Sequence, residues 1–419
     1  MSRVSTNAVT IINGGTLTLA SDDVFGIHSD TDTLNPIEVQ AGGTLTNSGA
    51  NKFNRLGPLT LSGGTLTSTS GYTGSSYTNG AWLLVGTLSV TENSSISGIG
   101  GIFSGYNGAG LTINVSSGKS LTVVPPIYDG VATGFGNWAT NSPLTKSGTG
   151  TLTLSGANTY TGATTVNAGT LSIGSGGTTG SVTSTSIANS SLVEFNRSND
   201  LTYSGVISGT GALTKLGAGT LTLTGANNYS GVSTITAGTL SIGNGGTTGS
   251  IASTTINNNG LLTFNRLDDL TYSGVISGTG GLSKLGAGVL YLTGSNTYSG
   301  ASTITEGTLS IGNGGASGSV NSAAINNSGT LIFNRTNNST YGGTISGTGT
   351  LTKLGTGTLY LTGENDYSGV STITAGTLSI GNGETTGSIS NSSISNNGSL
   401  HFNRSNNSTY SGVISGTGT

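Results

Sequence analysis

Basic and aromatic side chains recur through this 419-residue sequence at one fixed interval. Lys146, Lys215, Lys284 and Lys353 are evenly spaced, and Arg197, Arg266, Arg335 and Arg404 keep the same spacing, each closing a Phe-Asn-Arg motif. Tyr160, Tyr229, Tyr298 and Tyr367 keep it too, as do Tyr203, Tyr272, Tyr341 and Tyr410. Two kinds of chemistry fit such rows. A sparse file of cations could bind anionic glycan or lipid, and tyrosine rings could stack on sugars. A corner lysine or arginine that bonds loop carbonyls, with tyrosine packed beside it, needs no ligand and is the expected role. If like residues sit three coils apart, at about 14 Å, they lie beyond a Debye length and barely repel each other.

Other reactive constellations are thin. Asp22, Asp23, Asp30 and Asp32 form the densest acidic group and could take a hard cation, but a solvated loop is expected. Asp268 and Asp269 become Asn337/Asn338 and Asn406/Asn407 in later repeats, so no acid is required there. His28 and His401 lack partners, and His401 replaces Thr263 and Ile332 at one strand position, which reads as outward substitution. Serine is everywhere, yet no base accompanies it. There is no Cys, which removes disulfides and thiolate metal sites. The sequence therefore predicts no catalytic, cofactor-binding or metal site, and no enzyme. Thr220, Thr222 and Thr224 resemble the Thr-x-Thr faces of ice-binding solenoids, but the next coils offer Thr239/Ser241 and then Thr263 alone, an imperfect array.

The elements that carry these residues follow from composition and period. About half of the chain is Gly, Ser or Thr, only 6% is charged, and 32% is hydrophobic. Twelve basic side chains cannot neutralise many phosphates, so a nucleic-acid partner is excluded. No apolar run is long enough to cross a bilayer as a helix, so no membrane span is expected. Met1–Ser5 opens without an apolar signal-like stretch. Hydroxyl and aliphatic residues alternate in Thr220-Leu221-Thr222-Leu223-Thr224 and in Thr239-Leu240-Ser241-Ile242. That period of two marks half-buried strands with the aliphatic side inward. Gly243-Asn244-Gly245-Gly246, Asn257-Asn258-Asn259-Gly260 and Gly278-Thr279-Gly280-Gly281 read as turns.

An array without insertions suits a solenoid, which grows by whole units, better than a closed sandwich. The expected fold is all-β, a parallel β-helix with about three coils per repeat and about eighteen coils in all. That count comes from taking Leu221, Leu240, Leu262 and Leu290 as one position on successive coils. Residues 1–143 hold all five Pro and both Trp and read as degenerate coils with loops and a cap. The repeats are 144–212, 213–281, 282–350 and 351–419.

Residues 209–240, GTGALTKLGAGTLTLTGANNYSGVSTITAGTL, resemble the autotransporter passenger-associated β-strand repeat of bacterial surface proteins. The likeness recurs from Leu144, Leu213, Leu282 and Leu351 and covers rather less than half of each unit. It implies a right-handed β-helix that is secreted or displayed on the bacterial cell surface, in proteins that are typically adhesins. The expected function is a non-enzymatic adhesin stalk or surface scaffold, with a host or surface glycan or protein as partner. Because the chain closes on a whole repeat, an open strand edge could also template another copy, giving end-to-end filaments.

Overall fold

The computed structural model describes residues 9–20, 35–48, 53–69, 81–104, 110–129, 141–390 and 393–419. Asp22, Asp23, Asp30, Asp32, His28 and Trp138 lie outside them. Among the described residues every regular element is a strand, most of them short, and every pairing between named strands is parallel. The strands stack as a β-solenoid. The chain divides into two compact units, Met1–Gly219 and Thr220–Thr419.

In the first unit one sheet runs from Thr10–Ile12 through Ile37–Gln40, Leu59–Ser62 and Gly86–Glu92 to Val206–Ser208. A second starts at Gly15–Leu19 and reaches Ala212–Lys215, and shorter pairings such as Ala81–Leu84 with Ile102–Ser104 form the third side. Inward aliphatics stack in files. Leu121, Leu152, Leu171, Val193 and Leu213 pair in register on five successive coils, each fully buried. Each such side chain contributes about 1.5–3 kcal/mol by leaving water. The period-two reading therefore holds: outward Thr153 is half-buried while Leu152 and Leu154 are sealed. Prolines sit at coil corners. Pro36, Pro58, Pro126 and Pro143 each accept a backbone N–H of a neighbouring coil through their carbonyl, and none has to donate one in return.

The second unit shows how a repeat maps onto coils. Leu221 pairs with Leu240, then Leu262, Leu282, Ser302, Ile325 and Ile345, in nearly even steps. The expected single step from Leu262 to Leu290 is not made: Leu290 belongs to another sheet, between Leu270 and Leu309. A coil is therefore shorter than a third of a repeat, and each repeat makes about three and a third coils. Because of the extra third, the equivalent strands Thr220–Leu223, Val289–Leu292 and Thr358–Leu361 fall in three different sheets. Like residues of successive repeats form no row on one face, since each repeat is turned by about a third relative to the last.

Candidate functional site

The recurring lysines lie inside the wall. Lys146 projects inward from Leu144–Ser147, and its Nζ donates to the carbonyls of Ser147 at 2.8 Å, Gly148 at 2.6 Å and Ala168 at 3.1 Å. Lys284 repeats this with Leu285, Gly286 and Glu306, the last at 3.3 Å. Lys353 bonds Gly355 and Ala375, and Lys215 bonds Gly217. In Lys146 and Lys284 two carbonyls come from the turn after the lysine and one from the turn of the next coil, so the ammonium rivets two coils together. Its three protons match three acceptors. Burial pushes Lys146 and Lys353 down to about 8 and shifts Lys215 and Lys284 the same way.

The arginines clasp a loop. Arg197 Nη1 donates to Gly180 O at 2.7 Å and Nη2 to Thr178 O at 2.7 Å, while Nε and Nη2 share Asn199 Oδ1. Arg335 does the same with Gly318, Ala316 and Asn337, and Arg404 bonds Gly387, Thr385 and Asn406. In the second repeat Asp268 takes the asparagine's place, at 2.8 and 2.7 Å from Arg266. The fork needs only an acceptor oxygen, which explains why acid and amide exchange there. The clasped loop begins at a glycine with positive φ, 83° at Gly243, where a side chain would strain the backbone.

Tyr160, Tyr229 and Tyr298 are fully buried, with hydroxyls 2.8, 2.7 and 2.7 Å from Thr164, Ser233 and Ser302. Tyr203 and Tyr272 pack against Phe195 and Phe264, ring centroids 6.0 and 6.1 Å apart, and donate to Ser184 O and Ser253 O. Burial raises all five hydroxyls above the ordinary tyrosine range. None of these rings is open for a sugar to stack on.

Sequence reasoning missed the asparagines. Asn258, read as part of a turn, ends the strand Thr255–Asn258; its side chain is buried, with Nδ2 on Gly281 O at 2.7 Å. Asn189 and Asn327 repeat the contact with Ala212 and Thr350. A second set is tied on three sides. Asn158 Oδ1 accepts from Ile127 N at 2.9 Å, while Nδ2 donates to Gly156 O and Ser181 O at 2.9 and 2.8 Å. Asn296 and Asn365 do likewise. Their recurrence in every repeat was the available signal, although glycine-rich neighbours make them look like turn residues.

Among the described residues no group of three His, Asp or Glu side chains is placed to hold a metal ion. No helix is long and apolar enough to cross a membrane. The chemistry of the repeated lysines, arginines and asparagines is thus spent on joining coil to coil, and that of the Tyr160 set on pinning a corner within one coil.

The family model for the passenger-associated-transport-repeat matches residues 144–173, 213–242, 282–311 and 351–380, the segments holding the lysine, the buried tyrosine and the first strands. This is an autotransporter passenger-repeat chain. The chain shares 37% identity over 366 residues with the Adhesin BmaC autotransporter of Brucella suis biovar 1 (strain 1330), across 82% of its own length. It spans about a tenth of that relative's length. No solved structure matches it. As a passenger chain it is secreted or held on the cell surface.

Proposed function

We propose that these passenger repeats form a length of non-enzymatic adhesin stalk or surface scaffold, set outside the cell to hold a binding surface away from it. The observation that carries this reading is that lysine, arginine, asparagine and the Tyr203-type tyrosines of the repeats tie neighbouring coils, while the outer strand positions stay largely neutral and hydroxylated. A unit built this way extends by adding coils without a new core. The similarity to an adhesin supports a partner on a host or other surface, which we take to be a glycan or protein.

The test is adhesion of beads coated with the full chain to cultured cells and to extracellular matrix. Coated beads are expected to adhere while the masses of matrix components stay unchanged. Adhesion equal to that of bare beads would sink the adhesive part, and cleavage of the matrix would sink the non-enzymatic part. Electron microscopy of concentrated protein separates stalk from fibre, since long uniform filaments would replace the stalk by an end-to-end subunit.

A further inference from the structure

Of three outward side chains on three consecutive coils, the two flanking ones differ between repeats whose cores are almost identical. The three are Thr153, Ser172 and Glu194 in the first repeat, and Thr222, Ser241 and Thr263 in the second. In the third they are Tyr291, Ser310 and Ile332, and in the fourth Tyr360, Ser379 and His401. The central serine is constant for a structural reason: its hydroxyl bonds the carbonyl of the second residue after it, at 3.1, 2.9, 2.7 and 2.8 Å. The flanks are free to vary, and in the last two repeats a threonine has become a tyrosine.

That tyrosine is not needed by the fold, since the first two repeats make the same strand with threonine. Unlike Tyr298 and Tyr367, which are sealed in the wall, Tyr291 and Tyr360 sit half-exposed on the outer face of their sheets. Larger flanks cover the serine more fully: Ser310 and Ser379 are 1% exposed, against 5% and 7% for Ser172 and Ser241. The result is a ring-bearing patch on the outer face of a sheet. Around Tyr291 the paired outward residues are Thr271 and Ser310, followed by Ile332 and Thr352. Around Tyr360 they are Thr340 and Ser379, followed by His401. No Asp, Glu, Lys or Arg stands among these paired residues.

We propose that Tyr291 and Tyr360 are stacking platforms for the pyranose rings of a neutral glycan, with the flanking threonines as its hydroxyl partners. The inference rests on the adhesive reading and names its ligand class. An aromatic ring offers an apolar face with a polar edge, which suits a sugar whose faces are C–H and whose rim is hydroxyl. A neutral surround disfavours sulfated or sialylated chains, which would call for Arg or Lys. The two platforms are one repeat apart, on different sheets, about 16 Å along the stack, so they act as separate sites and gain by avidity on a branched or crowded glycan.

The test compares the full chain with the double variant Tyr291→Thr, Tyr360→Thr, which restores residues the first two repeats already fold with. The probes are neutral oligomers of glucose, galactose and N-acetylglucosamine, followed by saturation-transfer NMR and calorimetry. The parent should bind at least one series, with saturation passing to the C–H protons of the sugar rings and little change in about 1 M NaCl. The double variant should lose about tenfold in affinity, with its unfolding temperature unchanged. Absence of binding to every neutral series, or equal binding by the variant, overturns the proposal. Bead adhesion that persists in the double variant, or that needs cell-surface protein and not glycan, overturns it while leaving the adhesive reading intact.

Discussion

Residues 9–143 and the repeats that follow solve one packing problem with different means. Both stack parallel strands around an aliphatic interior. In the N-terminal coils the in-register positions run from Thr10 through Ile37, Leu59, Leu88 and Ile113 to Lys146, an uneven ladder. Its longest step, from Ile113 to Lys146, exceeds any in the repeats, where the steps are nearly even. The irregular coils rely on bulk. Trp82 is fully buried with Nε1 on Thr67 O at 3.1 Å, and Phe103 packs on Tyr128 at 5.5 Å. The regular coils use small cores and repeated polar rivets. A polar rivet fixes coil length, because its donor must meet carbonyls on two turns at once; a large ring tolerates variation in the loops.

The largest effect that could break this comparison lies in what both regions share, the strand phase. Leu240→Asp places a charge in the sealed file and should unfold the second unit under conditions where Thr239→Asp, on the outer face, shifts unfolding only slightly. Losses of more than about 4 kcal/mol and less than about 1 kcal/mol are expected from thermal melts. Equal shifts would refute the inward and outward assignment.

The next pair separates the two regions. Trp82→Ala should destabilise the N-terminal coils by about 3–5 kcal/mol through the cavity it leaves. Lys284→Met, similar in length, strips the donor from three carbonyls and should cost about 2–3 kcal/mol. Hydrogen exchange localises each loss. If Lys284→Met leaves the exchange of Gly286 and its neighbours untouched, the rivet is ornamental.

Alkaline pH sharpens the contrast without mutation. The buried lysines titrate lower in the fold, near 8 for Lys146 and Lys353 against 10.5 when unfolded. A lysine depressed in this way adds stability above its unfolded value and loses it as pH falls through the folded one. The buried tyrosines run the other way: their raised values give stability that is complete below about 10 and is lost as pH climbs beyond it. The repeats should therefore grow more stable from pH 7 toward 10 and weaken above that. Melting midpoints that decline steadily from pH 7 would contradict this.

Much of this was readable in the sequence, for identifiable reasons. The alternation of Thr and Leu set the strand phase, and the indel-free interval pointed to a solenoid. A corner lysine or arginine bonding loop carbonyls was the expected role of the recurring cations. Two things were hidden. The number of coils per repeat depends on which leucine pairs with which, and Leu262 could be matched to Leu290 as plausibly as to Leu282 on pattern alone. Asn158 and Asn258 carry the same residue type as true turn positions, and only burial distinguishes them. The outward tyrosines escape a reading built on periodicity because they break the repeat instead of obeying it.

The smallest expected effect concerns the third repeat against the first two, the fourth carrying Ser408 at the same position. Leu201 and Leu270 open the short strand that ends at Tyr203 and Tyr272, but the third repeat has Ser339 there. A cavity of about 90 Å³ lies beside it, lined by Ile311, Val320, Phe333, Arg335 and Tyr341. Phe333 and Tyr341 hold their usual spacing of 6.1 Å, so the neighbours have not collapsed into the space. Tyr341 bonds Thr344 O at 3.4 Å, an acceptor different from the carbonyls that Tyr203 and Tyr272 use. Ser339→Leu should fill the gap and raise stability by about 1 kcal/mol, and the reverse change, Leu270→Ser, should lower it by a similar amount. A drop on Ser339→Leu would mean that the wall around Arg335 has set to the smaller side chain, so that the repeats are less interchangeable than their sequences suggest.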